Sequence, residues 1–318
     1  MPSSQRSTVL VAGSANLDFV VRADRIPLPG ETVLGHDFRT FPGGKGANQA
    51  VACARAGGVA TRMLLALGDD AFAAPIEDSL RSAGVTLQIV RVSQPTGTAF
   101  ICVSSDAQNA ITVAPGANSA LGVDHLPTLD GVTCLLMQLE TPIESVAAYA
   151  RAARSAGVKV ALNAAPARAL PRALLDEVDI LIVNEGELAA ISGIDGDIAA
   201  ALATLPVPTV IVTLGARGAC LREQGRFHLQ PGFAVDAVDT TAAGDTFCGV
   251  FVAALTRGRD AAAALREACA AAALACTRAG AQTSIPTAAE VAALEQSAAT
   301  QPDDAVAALA RHCGIAQG

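Results

Sequence analysis

From about residue 133 onward the chain alternates short apolar runs with stretches of helical length, and this pattern restricts the fold more than any other feature. Residues 134–139, 159–163, 180–183 and 209–214 read as strands. Helical stretches separate them, at 142–155, 171–177 and 185–191. Strands spaced by a helix cannot pair as hairpins. They need right-handed crossovers, so the expectation is an α/β fold: a largely parallel central sheet covered by helices on both faces. Thr141-Pro142-Ile143-Glu144 and Thr287-Ala288-Ala289-Glu290 read as capping boxes opening helices. The first half fits the same scheme. Residues 8–12 and 61–67 are strands, and 46–56 and 72–82 are helices, the second closed by Gly84. Near the end, 218–222 and 226–230 are β-prone around Gly225. Residues 245–256 and 260–277 are Ala-rich buried helices, and a peripheral helix follows Gln301.

Two segments break the alternation. Residues 18–40 surround the turn-rich Pro27-Leu28-Pro29-Gly30, and 87–113 hold short β-prone runs between turn residues. Together they are expected to form a small β patch on an otherwise single domain spanning 1–318.

Composition removes several function classes. Of 318 residues 51% are hydrophobic and 16% charged, enough for a sizeable core, so disorder is excluded. The net charge is −8 and the only lysines are Lys45 and Lys159, with no basic stripe to suit a nucleic-acid partner. The apolar runs 247–255 and 268–276 are too short to span a bilayer, and the polar start, Met1 to Thr8, does not read as a signal peptide. Eight scattered cysteines without a CxxC pair, and only four histidines, point to reduced thiols in a cytoplasmic protein with no zinc site. An anionic ligand must therefore be held by a local feature against an acidic mean field.

In sheets of this kind ligands collect beyond the carboxyl ends of the strands. Asn16, Asp18, Glu140, Asn184, Glu187 and Thr213 all follow such ends. Gly43-Gly44-Lys45-Gly46-Ala47-Asn48-Gln49 joins a glycine-rich turn to a helix that carries Asn48. It is not a Walker A loop, because Gly rather than Ser or Thr follows Lys45, and it lacks the third glycine of a dinucleotide fingerprint. Asp239-Thr240-Thr241-Ala242-Ala243-Gly244-Asp245-Thr246 runs small residues straight into a long helix. Such a start presents free N–H groups and the positive end of the dipole, suited to phosphate. Asp245 there is either a helix cap or, beside a phosphate, the base for a substrate hydroxyl.

These two segments, in this order, resemble the signatures of the ribokinase branch of the PfkB family of carbohydrate kinases, and the likeness runs from about Thr8 to Leu294. Gly13-Ser14-Ala15-Asn16-Leu17-Asp18, Gln138-Leu139-Glu140-Thr141-Pro142, Asn184-Glu185-Gly186-Glu187 and Thr213-Leu214-Gly215-Ala216-Arg217-Gly218 add to it. The resemblance implies a ribokinase-like fold whose β patch is a lid, a homodimer paired through the lids, and ATP-dependent phosphorylation of D-ribose at O5. It implies that Asn16, Asp18, Gly44, Lys45, Gly46, Asn48 and Glu140 hold the sugar and that Asp245 is the base. Ala242, Ala243 and Gly244 would offer amides to the γ-phosphate, and Asn184 and Glu187 would act near Mg²⁺. Thr213, Gly215, Gly218 and Cys269 would border the nucleotide. A K⁺ site would fall at Asp239, Thr241, Ala275, Arg278, Gly280 and Ser284. Thr241, Cys248 and Cys269 depart from the family's common residues. Another PfkB kinase, acting on deoxyribose, fructose or a nucleoside, fits the same motifs.

Overall fold

A computed structural model of the chain describes residues 7–106, 108–298 and 303–315. The polar residues 1–6, position 107 of the expected patch and the first residues of the tail lie outside the described residues. In chain order the elements are β1 (Thr8–Ala12), β2 (Asn16–Ala23), β3 (Gly35–Gly43), α1 (Lys45–Val51, continued by a π-turn over Ala52–Ala56), β4 (Ala60–Gly68), α2 (Ala73–Ser82), β5 (Thr86–Val92), β6 (Gly97–Val103), β7 (Asn109–Ala114) and β8 (Val132–Met137). There follow α3 (Ile143–Ser155), β9 (Lys159–Asn163), α4 (Arg172–Leu175), β10 (Ile180–Asn184), α5 (Glu185–Ser192), α6 (Ile198–Thr204), β11 (Thr209–Thr213), β12 (Gly218–Glu223), β13 (Arg226–Pro231), α7 (Ala243–Thr256), α8 (Ala261–Cys276), α9 (Ala288–Ser297) and α10 (Asp303–His312).

The main sheet has nine strands in the order β13-β12-β11-β10-β9-β8-β1-β4-β5. It is parallel from β5 to β11, and the β12–β13 hairpin closes one side antiparallel. β1 lies inside it, and its side chains alternate between two cores. Val9 and Val11 join the core that includes Phe247, Val250 and Phe251 of α7 and Leu265 of α8. Leu10 and Ala12 join the core of Val146, Tyr149 and Leu188 on the opposite face. Among the described residues no helix is long and apolar enough to cross a membrane.

A four-stranded sheet, β3-β2-β6-β7, stands apart. β2 and β6 run parallel and the outer pairs antiparallel. This corrects the expected lid in one respect: residues 87–92 are not part of it. They form β5, in parallel register with β4 from Arg62↔Thr86 to Gly68↔Val92. Leu87 and Ile89 pack on one core and Val90 and Val92 on the other, so the strand is apolar on both faces and belongs between helix layers. The Thr141 capping box is also corrected. Pro142 takes the cap position with extended ψ 130° and offers no side-chain bond, so α3 starts one residue later than the motif implied. The box at Thr287 does form.

Four chain passages join the two sheets, at 13–15, at Gly44, at 93–96 and at Pro115-Gly116. They are packed on one another. Ala15 N–H donates to Asn118 Oδ1 at 3.0 Å, and Ala117 N–H to the Pro95 carbonyl at 2.7 Å. Gly44 has φ +88°, and a Cβ there would lie 2.7 Å from the backbone of Ala15 and Asn16. Only glycine fits both the dihedral and the gap.

Candidate active site

At this seam the sugar-side residues of the sequence meet. Asp245, third residue of α7, is buried. Its Oδ2 accepts from Asn48 Nδ2 at 2.9 Å and its Oδ1 from Gln49 Nε2 at 3.0 Å, both donors standing on α1. Asn48 is buried too, and its Oδ1 has no partner among the described residues. A buried acceptor left open beside a carboxylate is available to a hydrogen-bond donor. Asn16 Oδ1 accepts from Asn118 Nδ2 at 2.8 Å. Glu140 Oε2 accepts from Ser14 Oγ at 2.6 Å and from Lys45 N–H at 3.2 Å, and Gly46 N–H donates back to Ser14 Oγ at 3.3 Å. Asp18 lies against Gly43, where a Cβ would come 2.1 Å from its Oδ2.

The electrostatics single out Asp18. Burial first, then the neighbouring Glu140 and Asp245 carboxylates, push it from 3.8 up to about 7. Lys45 moves upward, because Asp245 and then Glu140 and Glu187 favour its charged form against the opposing cost of burial. Burial also raises Glu187, partly offset by the Asn184 N–H and by Lys45.

Two cavities adjoin at the start of α7. One of about 230 Å³ is lined by Lys45, Asn184, Glu187, Ala242, Asp245 and Cys248 among others. The other, about 430 Å³, is lined by Thr213, Gly215, Gly218, Phe233, Ala243 and Cys269 among others. Thr213, Thr240 and Gly244 line both. The residues read as nucleotide-binding thus line two adjoining cavities, the smaller of which also includes Asp245. Ala242 takes a left-handed φ of 59°, and Ala243 N–H donates to the Thr240 carbonyl at 3.2 Å, which tightens the turn into the helix. Asn184 and Glu187 form a reciprocal capping box on α5, each side chain accepting the other's N–H at 2.8 Å. Burial pushes the Cys248 thiol well up, keeping it neutral.

Of the residues read as a cation site, Asp239, Thr241 and Gly280 meet in one turn. Asp239 accepts Thr241 N–H at Oδ1 and Gly280 N–H at Oδ2, each at 2.9 Å, and its own N–H donates to the Cys276 carbonyl at 3.1 Å. Burial opposes ionisation of Asp239. The bonds from Thr241 and Gly280 and the charge of Arg22 outweigh it and hold the carboxyl below its usual range. Ala275 and Ser284 are buried, and the Arg278 guanidinium is engaged by Glu290, so Arg278 has only its main chain to offer. One carboxylate with main-chain oxygens suits a monovalent ion. Among the described residues no cluster of three His, Cys, Asp or Glu stands ready for a multivalent one.

Residues 6–288 match the model of the pfkB family carbohydrate kinases. The chain belongs to the PfkB family. Ribokinase of Haemophilus influenzae is 41% identical over 295 residues, 89% of this chain and 96% of that one. The crystal structure of ribokinase from Thermotoga maritima is 37% identical with a TM-score of 0.85, covering 91% of this chain and 99% of its own. The Arabidopsis thaliana ribokinase complexed with ribose and ATP is 34% identical with a TM-score of 0.82, covering 91% and 98%. The PfkB resemblance read from the motifs, and the fold expected from it, are borne out. Four buried residues had no role in the sequence reading: Ser14, Gln49, Asn118 and Asn163. Ser14 lies in the quoted Gly13–Asp18 segment and Gln49 in Gly43–Gln49, so each stood within a few residues of a named sugar-side candidate, Asn16 or Asn48. Asn118 and Asn163 carry no motif signal.

Proposed function

We propose that this PfkB chain transfers the γ-phosphoryl group of ATP to the 5-hydroxyl of D-ribose. The observation that carries the reading is the setting of Asp245. Its oxygens accept from Asn48 and Gln49 on another helix, where a capping carboxylate would bond amides of its own. It faces polar sugar-side groups on one hand and the phosphate-sized recess on the other. The relative solved with ribose and ATP supports the choice of both substrates.

In this reading Asn16, Asp18, Gly44, Lys45, Gly46, Asn48 and Glu140 fix the hydroxyls, and Asp245 orients the attacking one and takes its proton. Phosphoryl transfer needs alignment and charge stabilisation rather than covalent help. The amides of Ala242 and Gly244, at the positive end of α7, and Lys45 supply that charge, while the Ala243 amide, expected beside them, is held by the Thr240 carbonyl. Glu187, buried and partly desolvated, and Asn184 fit Mg²⁺ arriving with the nucleotide, whose role when bound is to neutralise phosphate charge. Asp239, Thr241, Ala275, Arg278, Gly280 and Ser284 would hold K⁺, and Asp239 ties the loop that shapes the amides. Phe38 and Phe100 are exposed on one face of the small sheet, beside Phe19, and such an apolar face supports a lid-to-lid homodimer. The protein is read as cytoplasmic.

A coupled ADP-release assay over pentoses, hexoses and nucleosides, run in K⁺ and in a large inert cation, tests this. Ribose should give the highest kcat/KM, with faster turnover in K⁺. Asp245→Asn should lower kcat by roughly 10²–10⁴-fold while ribose still binds. A preference for deoxyribose, fructose or a nucleoside would transfer the chain to another PfkB specificity, and wild-type turnover by Asp245→Asn would reject the base.

A further inference from the structure

Beneath Asp245 lies a line of buried amides whose polarity is dictated from one end. Asn163 Nδ2 donates to the Ile182 carbonyl at 3.1 Å. A carbonyl only accepts, so Asn163 must turn its Oδ1 the other way, towards Gln49. Gln49 must then present its NH₂, and Nε2 lies 3.0 Å from both Asn163 Oδ1 and Asp245 Oδ1. Its Oε1 in turn accepts from Gln138 Nε2 at 2.6 Å. Both Gln49 protons are therefore committed, and the side chain cannot flip without breaking three bonds. Gln49 is wholly buried, so it touches no substrate.

We propose that Gln49 is the positioning residue of the catalytic carboxylate: a fixed donor that ties Asp245 Oδ1 inward and leaves Oδ2, beside Asn48, facing the substrate hydroxyl. The inference rests on Asp245 acting as base, but not on which sugar is used. A donor to one carboxylate oxygen fixes the plane of the group and favours its charged form, the form that can take a proton. The position of Gln49 inside the glycine motif, one residue after a sugar-contact candidate, acquires a chemical reason. The motif delivers Asn48 and Gln49, consecutive on α1, to the two oxygens of one carboxylate. Gln138 acts one step further out by holding the Gln49 amide the right way round.

The test uses Gln49→Met, which keeps length and volume and removes the donor, with Gln138→Leu and the double variant, on the best sugar of the wild-type panel. Gln49→Met should fold with an unchanged denaturant slope and lower kcat roughly 10- to 100-fold, as expected for one hydrogen bond to a charged group. KM for sugar and for ATP should stay within about twofold. The acidic limb of its kcat–pH profile should move to higher pH. The ionisable groups whose charge reaches Asp245 (Asp18, Lys45, Glu187 and Cys248) are common to both proteins, so the displacement reports the lost donor. Gln138→Leu should act in the same direction, and the double variant should be no slower than Gln49→Met alone, since both act through one bond. An unmoved pH limb, losses that multiply in the double variant, or a loss confined to KM would each overturn the proposal. Should Gln49→Met not fold, Gln138→Leu decides alone: a lowered kcat with a displaced limb supports the assignment, and a wild-type profile ends it.

Discussion

Asp18 is a carboxyl held among carboxyls. With its value at about 7 rather than 3.8, the folded protein carries one proton more than the unfolded chain between those limits. Stability contributed by this group is therefore present at low pH and is lost as pH rises towards 7. A sugar hydroxyl that donates to Asp18 favours its charged form, so ribose binding near pH 6 should release a proton. Titration calorimetry in buffers of different ionisation enthalpy should show a binding heat that varies with the buffer, and Asp18→Asn should remove the variation. A buffer-independent heat in the wild type would contradict this. The charge cluster is invisible along the chain, because Asp18, Glu140 and Asp245 are separated by more than a hundred residues at each step and gain their mutual repulsion only in the fold.

Between residues and the whole, α1 and α7 deliver the site. α1 brings Asn48 and Gln49, and α7 brings Asp245, because both helices start at the seam between the sheets. Gly44 is the pivot of the first. Gly44→Ala would combine a left-handed φ of +88° with a Cβ 2.7 Å from Ala15 and Asn16. It should cost about 2–4 kcal/mol, read as a lowered urea midpoint at constant slope, with a raised KM for sugar. A midpoint within error of wild type would show that the passage relaxes freely. Much at this scale was legible in the sequence. The β-then-α alternation gave the parallel sheet, and two short motifs located the starts of α1 and α7. What failed did so for physical reasons. Residues 87–92 look like lid strands because β propensity does not say which sheet a strand joins; the apolar character of both faces does. The Thr141 box did not form because Pro142 itself takes the cap position, its φ of −55° set by the ring and its ψ of 130° outside the helix. Asn118 and Asn163 stayed hidden because a polar residue that serves a partner 103 or 114 positions away leaves no local pattern.

For the molecule as a whole, the outward face of the small sheet remains unsatisfied. Phe100 is 54% and Phe38 61% exposed, and Phe19 stacks on both. If two copies cover this face with each other, Phe100→Lys should shift sedimentation from dimer to monomer at micromolar concentration and raise KM for the sugar. A wild-type protein that sediments only as a monomer would exclude the dimer. The four passages between the sheets carry a mechanical consequence. Because they are bundled within a few residues of Asn16, any rocking of one sheet on the other turns about an axle that runs beside the pocket. The rim with Phe38 and Phe100 can then sweep widely while the groups nearest the axle barely shift, so the door can swing without loosening its grip on what it encloses.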